Sequence, residues 1–137
     1  MHVRDAMTTV VLTVGPEHTL GDAARRMTER GVGAAVVMDE EQAGPGIITE
    51  RDILRSVGAG QAPERERVRD HLTAEVILAA PDWSLEQAAS EMVRGGFRHV
   101  IVVDGSDVVG ILSMRDVVRS WTADAATSEL SAGAGVR

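Results

Sequence analysis

Hydrophobic positions along this chain follow two periods, and the same succession occurs twice. "VVLTV" at 10–14 and "VILAA" at 76–80 are short β-branched runs that predict strands, each stopped by Pro16 or Pro81. Leu20, Ala23, Ala24 and Met27 then recur at i, i+3, i+4 and i+7, as do Leu85, Ala88, Ala89 and Met92. That spacing predicts a helix with one narrow apolar face. Thr19-x-x-Asp22 and Ser84-x-x-Gln87 carry the helix-opening pattern, and Gly31 and Gly95-Gly96 close the helices. "AAVVMD" (34–39) and "HVIVVD" (99–104) are continuous apolar runs, as in strands buried on both faces. A turn at Gly44-Pro45, or at Gly105-Ser106, leads into a third strand, "GII" (46–48) or "VVGIL" (108–112). Thr49 and Ser113 start a second helix, which is expected to turn Ile53 and Leu54, or Val117 and Val118, inward.

The two halves are a duplication. Residues 3–39 moved by 65 positions fall on 68–104, and after one deletion the offset becomes 64. Val3/Val68, Arg4/Arg69, Asp5/Asp70 and Thr8/Thr73 open the series of identities, and Gly46/Gly110, Ile47/Ile111, Arg51/Arg115 and Asp52/Asp116 follow at the shifted offset. The fold class is α/β of the α+β kind, with two β-α-β-β-α repeats packed about a pseudo-two-fold axis. The first repeat spans 3–55, a linker covers 56–67, and the second repeat spans 68–122. The small, polar tail at 123–137 is expected to be disordered. A unit of this size is marginal alone, so the two are expected to bury sheet faces against each other around a cleft.

Composition narrows the chemistry. Only Phe97, Trp83 and Trp121 are aromatic, so the core is aliphatic. The net charge of −7 disfavours broad contact with nucleic acid or an anionic membrane, although all 14 basic residues are arginine. The chain has no cysteine, which removes disulfides, thiolate metal sites and cysteine nucleophiles. No apolar run approaches the length of a membrane span, and a cytoplasmic location is expected. His2, His18, His71 and His99 do not fall at metal-ligand spacing, and no nucleophile–base constellation stands out. Neither an enzyme nor a resident cofactor or metal is expected.

What remains is the phrase written twice, "GIITERD" at 46–52 and "GILSMRD" at 110–116. As structure, Thr49-x-x-Asp52 and Ser113-x-x-Asp116 are helix caps and the glycines are turn residues. As chemistry, a hydroxyl at a helix N-terminus suits a phosphate, and a carboxylate's two oxygens match the vicinal hydroxyls of a ribose. Aliphatics such as Ile47 and Ile48 can bracket a base, and the glycine allows close approach of backbone. The pattern points to binding a ribonucleotide, not converting it.

Residues 3–119 resemble a tandem pair of CBS (cystathionine-β-synthase) domains, the Bateman module. The resemblance rests on the duplicated plan, on "GFRHVIVVD" (96–104), and on the two G-h-h-T/S-x-x-D ends. It implies an adenosine ligand, such as AMP, ADP, ATP or S-adenosylmethionine, held in the cleft between copies. It places Asp52 and Asp116 on ribose and Thr49 and Ser113 near phosphate. Arg98 and His99 would grip phosphate opposite Thr49 and Asp52, whereas Gly33 and Ala34 hold the corresponding places opposite Ser113 and Asp116. Ile101 and Val36 stand where the family often has proline, and Ile47, Ile101 and Ile111 are counted among the ligand-binding positions. The resemblance also implies a homodimer, with Trp121 as a candidate contact, and regulation of an unknown protein partner. The rival reading is a ligand-free dimerisation or protein-interaction module in which both aspartates only cap helices.

Overall fold

The computed structural model describes the backbone of residues 1–133 and the side chains of residues 1–123. Its elements, in chain order, are α1 (Val3–Ala6), β1 (Thr13–Val14), α2 (Leu20–Arg30), β2 (Ala34–Val37), β3 (Gly46–Thr49) and α3 (Glu50–Gly58). After a single 3-10 turn at Val68–Asp70 come β4 (Leu78–Ala79), α4 (Leu85–Gly95), β5 (His99–Asp104), β6 (Asp107–Ser113) and α5 (Met114–Gly133). The strand–helix–strand–strand–helix plan is present twice, as the hydrophobic pattern predicts.

Each copy builds a three-stranded sheet, in the orders β1-β2-β3 and β4-β5-β6. The first pair of each sheet is parallel and the second antiparallel. The leading strands are only two residues long, where five-residue runs suggested more. Both first helices are opened as expected. The Thr19 hydroxyl accepts the Asp22 N–H at 3.0 Å, and the Ser84 hydroxyl accepts the Gln87 N–H at 3.0 Å. Gly31 and Gly96 end them in the left-handed region, at φ 64° and 72°, where a side chain would be strained.

The compact units do not coincide with the repeats. One unit is Val10–Val76; the other joins Met1–Thr9 to the chain from Ile77 onward. The opening segment of each repeat therefore packs with the body of the other. Val3 is fully buried in a core with Leu85, Ala88, Met92, Val100, Leu112 and Val117. Its repeat mate Val68 is fully buried with Leu12, Val14, Leu20, Met27, Val37 and Ile48. These two segments act as straps, and each also closes a helix start. Leu85 N–H donates to the Met1 carbonyl at 3.0 Å, and Leu20 N–H donates to the Glu66 carbonyl at 2.9 Å.

Three other expectations change. The span 56–67 is not a free linker: α3 runs to Gly58, and Gly21 N–H donates to the Pro63 carbonyl at 3.1 Å, so this stretch caps α2. The chain from 123 is helical through Gly133 rather than disordered, because its alanine-rich sequence contains no glycine or proline before that point; residues 134–137 lie outside the described ones. Leu54 and Val118 face outward, 70% and 53% exposed, while Asp52 and Ser56, and Asp116 and Val117, take the buried positions. Neighbouring residues on a helix are about 100° apart, so both members of an adjacent apolar pair cannot face one core.

Candidate functional site

The nominated residues gather at one end of each sheet. In the unit from Ile77, β5 and β6 place His99 opposite Ser113 and Ile101 opposite Ile111. Alternation sends these four to one face, while Val100, Val102 and Leu112 enter the helix-packed core. In Val10–Val76, Ala34 is opposite Thr49 and Val36 is opposite Ile47, with Ala35, Val37 and Ile48 in the core. Each sheet thus turns its nominated residues to the face away from its own helices. Ile101 is fully buried, and Ile47 and Ile111 are only 4% and 7% exposed, so their role is first one of packing. Thr49, Ser113 and His99 are half-buried, and Arg98 is exposed. The Arg98 carbonyl accepts the Met114 N–H at 2.8 Å, which ties the entry of β5 to the start of α5.

At the sheet ends both T/S-x-x-D turns close as reciprocal caps. Thr49 donates to Asp52 Oδ2 from its N–H at 2.9 Å and from its hydroxyl at 3.0 Å; Asp52 N–H donates back to the Thr49 oxygen at 3.2 Å. Ser113 N–H donates to Asp116 Oδ2 at 2.9 Å, and Asp116 N–H donates to the Ser113 oxygen at 3.0 Å. Both aspartates are 7% exposed. The cap engages Oδ2 and leaves Oδ1 more open. Among the described residues, Asp52 Oδ1 receives the Thr73 hydroxyl at 3.4 Å, and Asp116 Oδ1 faces the Arg119 guanidinium at 3.8 Å. A carboxylate has about four acceptor positions, so each can still take a donor from outside.

Thr73 and Thr8 belong to this arrangement and were not singled out from sequence. The Thr8 hydroxyl points to Asp116 Oδ2 at 3.5 Å. Their identity across the repeats was the available signal. Arg119, whose guanidinium faces Asp116 Oδ1, was missed as well. The repeated glycines have a structural explanation. A Cβ on Gly46 would stand 3.2 Å from the Thr73 carbonyl oxygen, so the close approach is made by the strap.

A cavity of about 50 Å³ lies at the turn between β2 and β3, lined by Val37, Asp39, Pro45, Gly46 and Leu72 among others. It has room for a water or two and none for a nucleotide. Among the described residues, no group of three or more His, Cys, Asp or Glu side chains is placed to hold a metal ion. No described helix is long and apolar enough to cross a membrane.

The CBS domain family model matches residues 3–59 and again 68–122. This chain belongs to the CBS domain family. The CBS pair is 34% identical over 131 residues to the CBS domain-containing protein YhcV of Bacillus subtilis, covering 94% of this chain and 92% of that one. It is 31% identical to a protein of Methanocaldococcus jannaschii over 96% of this chain, and spans only 46% of that relative's length. Among solved structures, a CBS domain protein of Pyrobaculum aerophilum complexed with AMP superposes with a TM-score of 0.74 at 25% identity, covering 85% of this chain and 89% of that one.

Proposed function

We propose that this CBS pair binds an adenosine nucleotide at its T/S-x-x-D turns and uses the binding to regulate a partner protein. The observation that carries the reading is the state of Asp52 and Asp116: the cap holds each carboxylate rigid through Oδ2 and leaves acceptor capacity on Oδ1. A ribose diol suits such a fixed acceptor. Arg98, Arg51 and Arg115 are exposed and available to a phosphate. The AMP complex of the Pyrobaculum relative supports the ligand class. Regulation would then proceed by shifting a conformational equilibrium, which a ligand does only by its differential affinity for the two states.

The test is calorimetric titration of nucleotide-stripped protein with AMP, ADP, ATP and S-adenosylmethionine. Saturable heat from one of them, lost in Asp52→Ala or Asp116→Ala, is the expected result. No heat from any, with folded protein, overturns it.

A second reading has its own support. The contacts of both aspartates are those of helix caps, and the second helices carry equivalent apolar pairs outward, Leu54 with Val57 and Val118 with Trp121. These fit a homodimer or a protein-interaction module that needs no small ligand.

A further inference from the structure

Asp52 and Asp116 are each tied to a segment that leaves their own unit. In Val10–Val76, Thr73 N–H donates to the Ile47 carbonyl at 2.8 Å and Ile47 N–H donates to the Thr73 carbonyl at 2.9 Å. The Thr73 hydroxyl points to Asp52. Four residues on, with no turn between, the chain reaches Ile77 in the other unit, whose carbonyl accepts the Ile101 N–H at 3.0 Å. The mirror arrangement holds at the other end. Thr8 and Ile111 exchange backbone hydrogen bonds at 2.9 and 3.0 Å, and the Thr8 hydroxyl points to Asp116. Four residues on, the Leu12 carbonyl accepts the Val36 N–H at 2.9 Å.

We infer that Thr73 and Thr8 are positioning residues that couple each carboxylate to the first strand of the other unit. A change at Asp52 reaches the Ile77–Ile101 hydrogen bond, and a change at Asp116 reaches the Leu12–Val36 bond. The short backbone bonds hold each strap in register. The hydroxyl contacts, at 3.4 and 3.5 Å, are longer than ordinary O–H···O bonds and leave room for a ligand to tighten or displace them. Coupling of this kind is reciprocal, so a change at the Ile77–Ile101 bond also reaches Asp52, and one at the Leu12–Val36 bond also reaches Asp116. The trigger rests on the nucleotide reading; the wiring does not.

Amide hydrogen exchange of the full chain, read by NMR, tests both parts separately. Thr73→Val removes the hydroxyl and keeps the branched shape. Ile101 N–H is expected to exchange about two- to tenfold faster in it. Thr73→Ser should restore the wild-type rate, and the α4 amides should keep theirs throughout. Thr8→Val should act in the same way at Val36. Wild-type rates at Ile101 and Val36 in both valine variants overturn the coupling, and so does a uniform rise that includes α4. Saturation with AMP should alter the same two amides in the unmodified protein. Failure of AMP to bind counts against the nucleotide reading, while the valine variants still decide the coupling.

Discussion

Gly110 lies directly beneath Met7: a Cβ there would stand 2.6 Å from the methionine sulfur and 3.0 Å from the Thr8 carbonyl oxygen. Gly46 has the same relation to Leu72 and Thr73. The glycine of the repeated phrase is thus required by the strap that crosses it. Gly110→Ala and Gly46→Ala are expected to destabilise the protein by about 1–3 kcal/mol through overpacking. Gly58, which has open space around its Cα, is the control, and Gly58→Ala should stabilise by about 0.4–1 kcal/mol. Urea unfolding of the three variants separates the cases.

The caps have a stability cost of their own. Asp52→Ala removes the acceptor for the Thr49 N–H and hydroxyl, and should lower stability by about 0.5–2 kcal/mol without any ligand. Asp116→Ala should behave alike. If either aspartate also binds a nucleotide, its substitution removes AMP-dependent thermal stabilisation altogether, which a loss of cap stability alone does not do. Melting curves with and without AMP are the measurement.

Acid sensitivity is predicted at Asp22. The Thr19 backbone N–H, at 3.1 Å, and the Thr19 side chain hold its carboxyl below the usual carboxylate range. A depressed folded-state pKa contributes stability above the unfolded value of 3.8, and that contribution disappears as pH falls through the folded value. Asp22→Asn should therefore flatten part of the stability loss below about pH 4, and should match the parent slope near neutrality. Denaturation midpoints across pH 2–7 would check this.

The permuted units make a fragment prediction. The stretch 10–76 contains a whole unit with its strap, and should fold alone. The stretch from 77 lacks Val3, whose burial is worth about 1.5–3 kcal/mol, and should fold only when a peptide of residues 1–9 is added. Circular dichroism of the fragments, with and without peptide, distinguishes this from two independent repeats.

The outward apolar pairs predict self-association. Trp121→Arg and Leu54→Arg should leave the fold intact and lower the mass observed by sedimentation, because the two side chains are 46% and 70% exposed. An unchanged mass in both would place any association elsewhere.

Much of this was legible in the residues. The i, i+3, i+4, i+7 stripes placed α2 and α4, and the internal identities gave the plan and the repeated turn. Sequence periodicity reports which residues are buried, not which neighbour buries them. Val3 and Val68 read correctly as apolar, yet nothing local says that each enters the core of the other repeat. The carboxylate partners of Thr8 and Thr73 were hidden for the same reason, since they lie 108 and 21 positions away. Leu54 and Val118 misled because an apolar residue beside another on a helix reads as core whether it faces a core or a partner. The extension of α5 was missed because small polar residues in "TSELSAGAG" resemble those of a tail.

The exchanged straps also constrain how the protein can have arisen. A lone ancestral repeat would carry its Val-Arg-Asp segment unplaced and leave its own body uncovered, so its natural complement was a second chain of the same kind. Two such chains trading their first residues would make a swapped pair, and joining them end to end would yield one polypeptide with the same exchange of straps. On that account the fusion preserved an obligate partnership. Deleting either copy in the course of evolution would have stranded the other, and both have been kept.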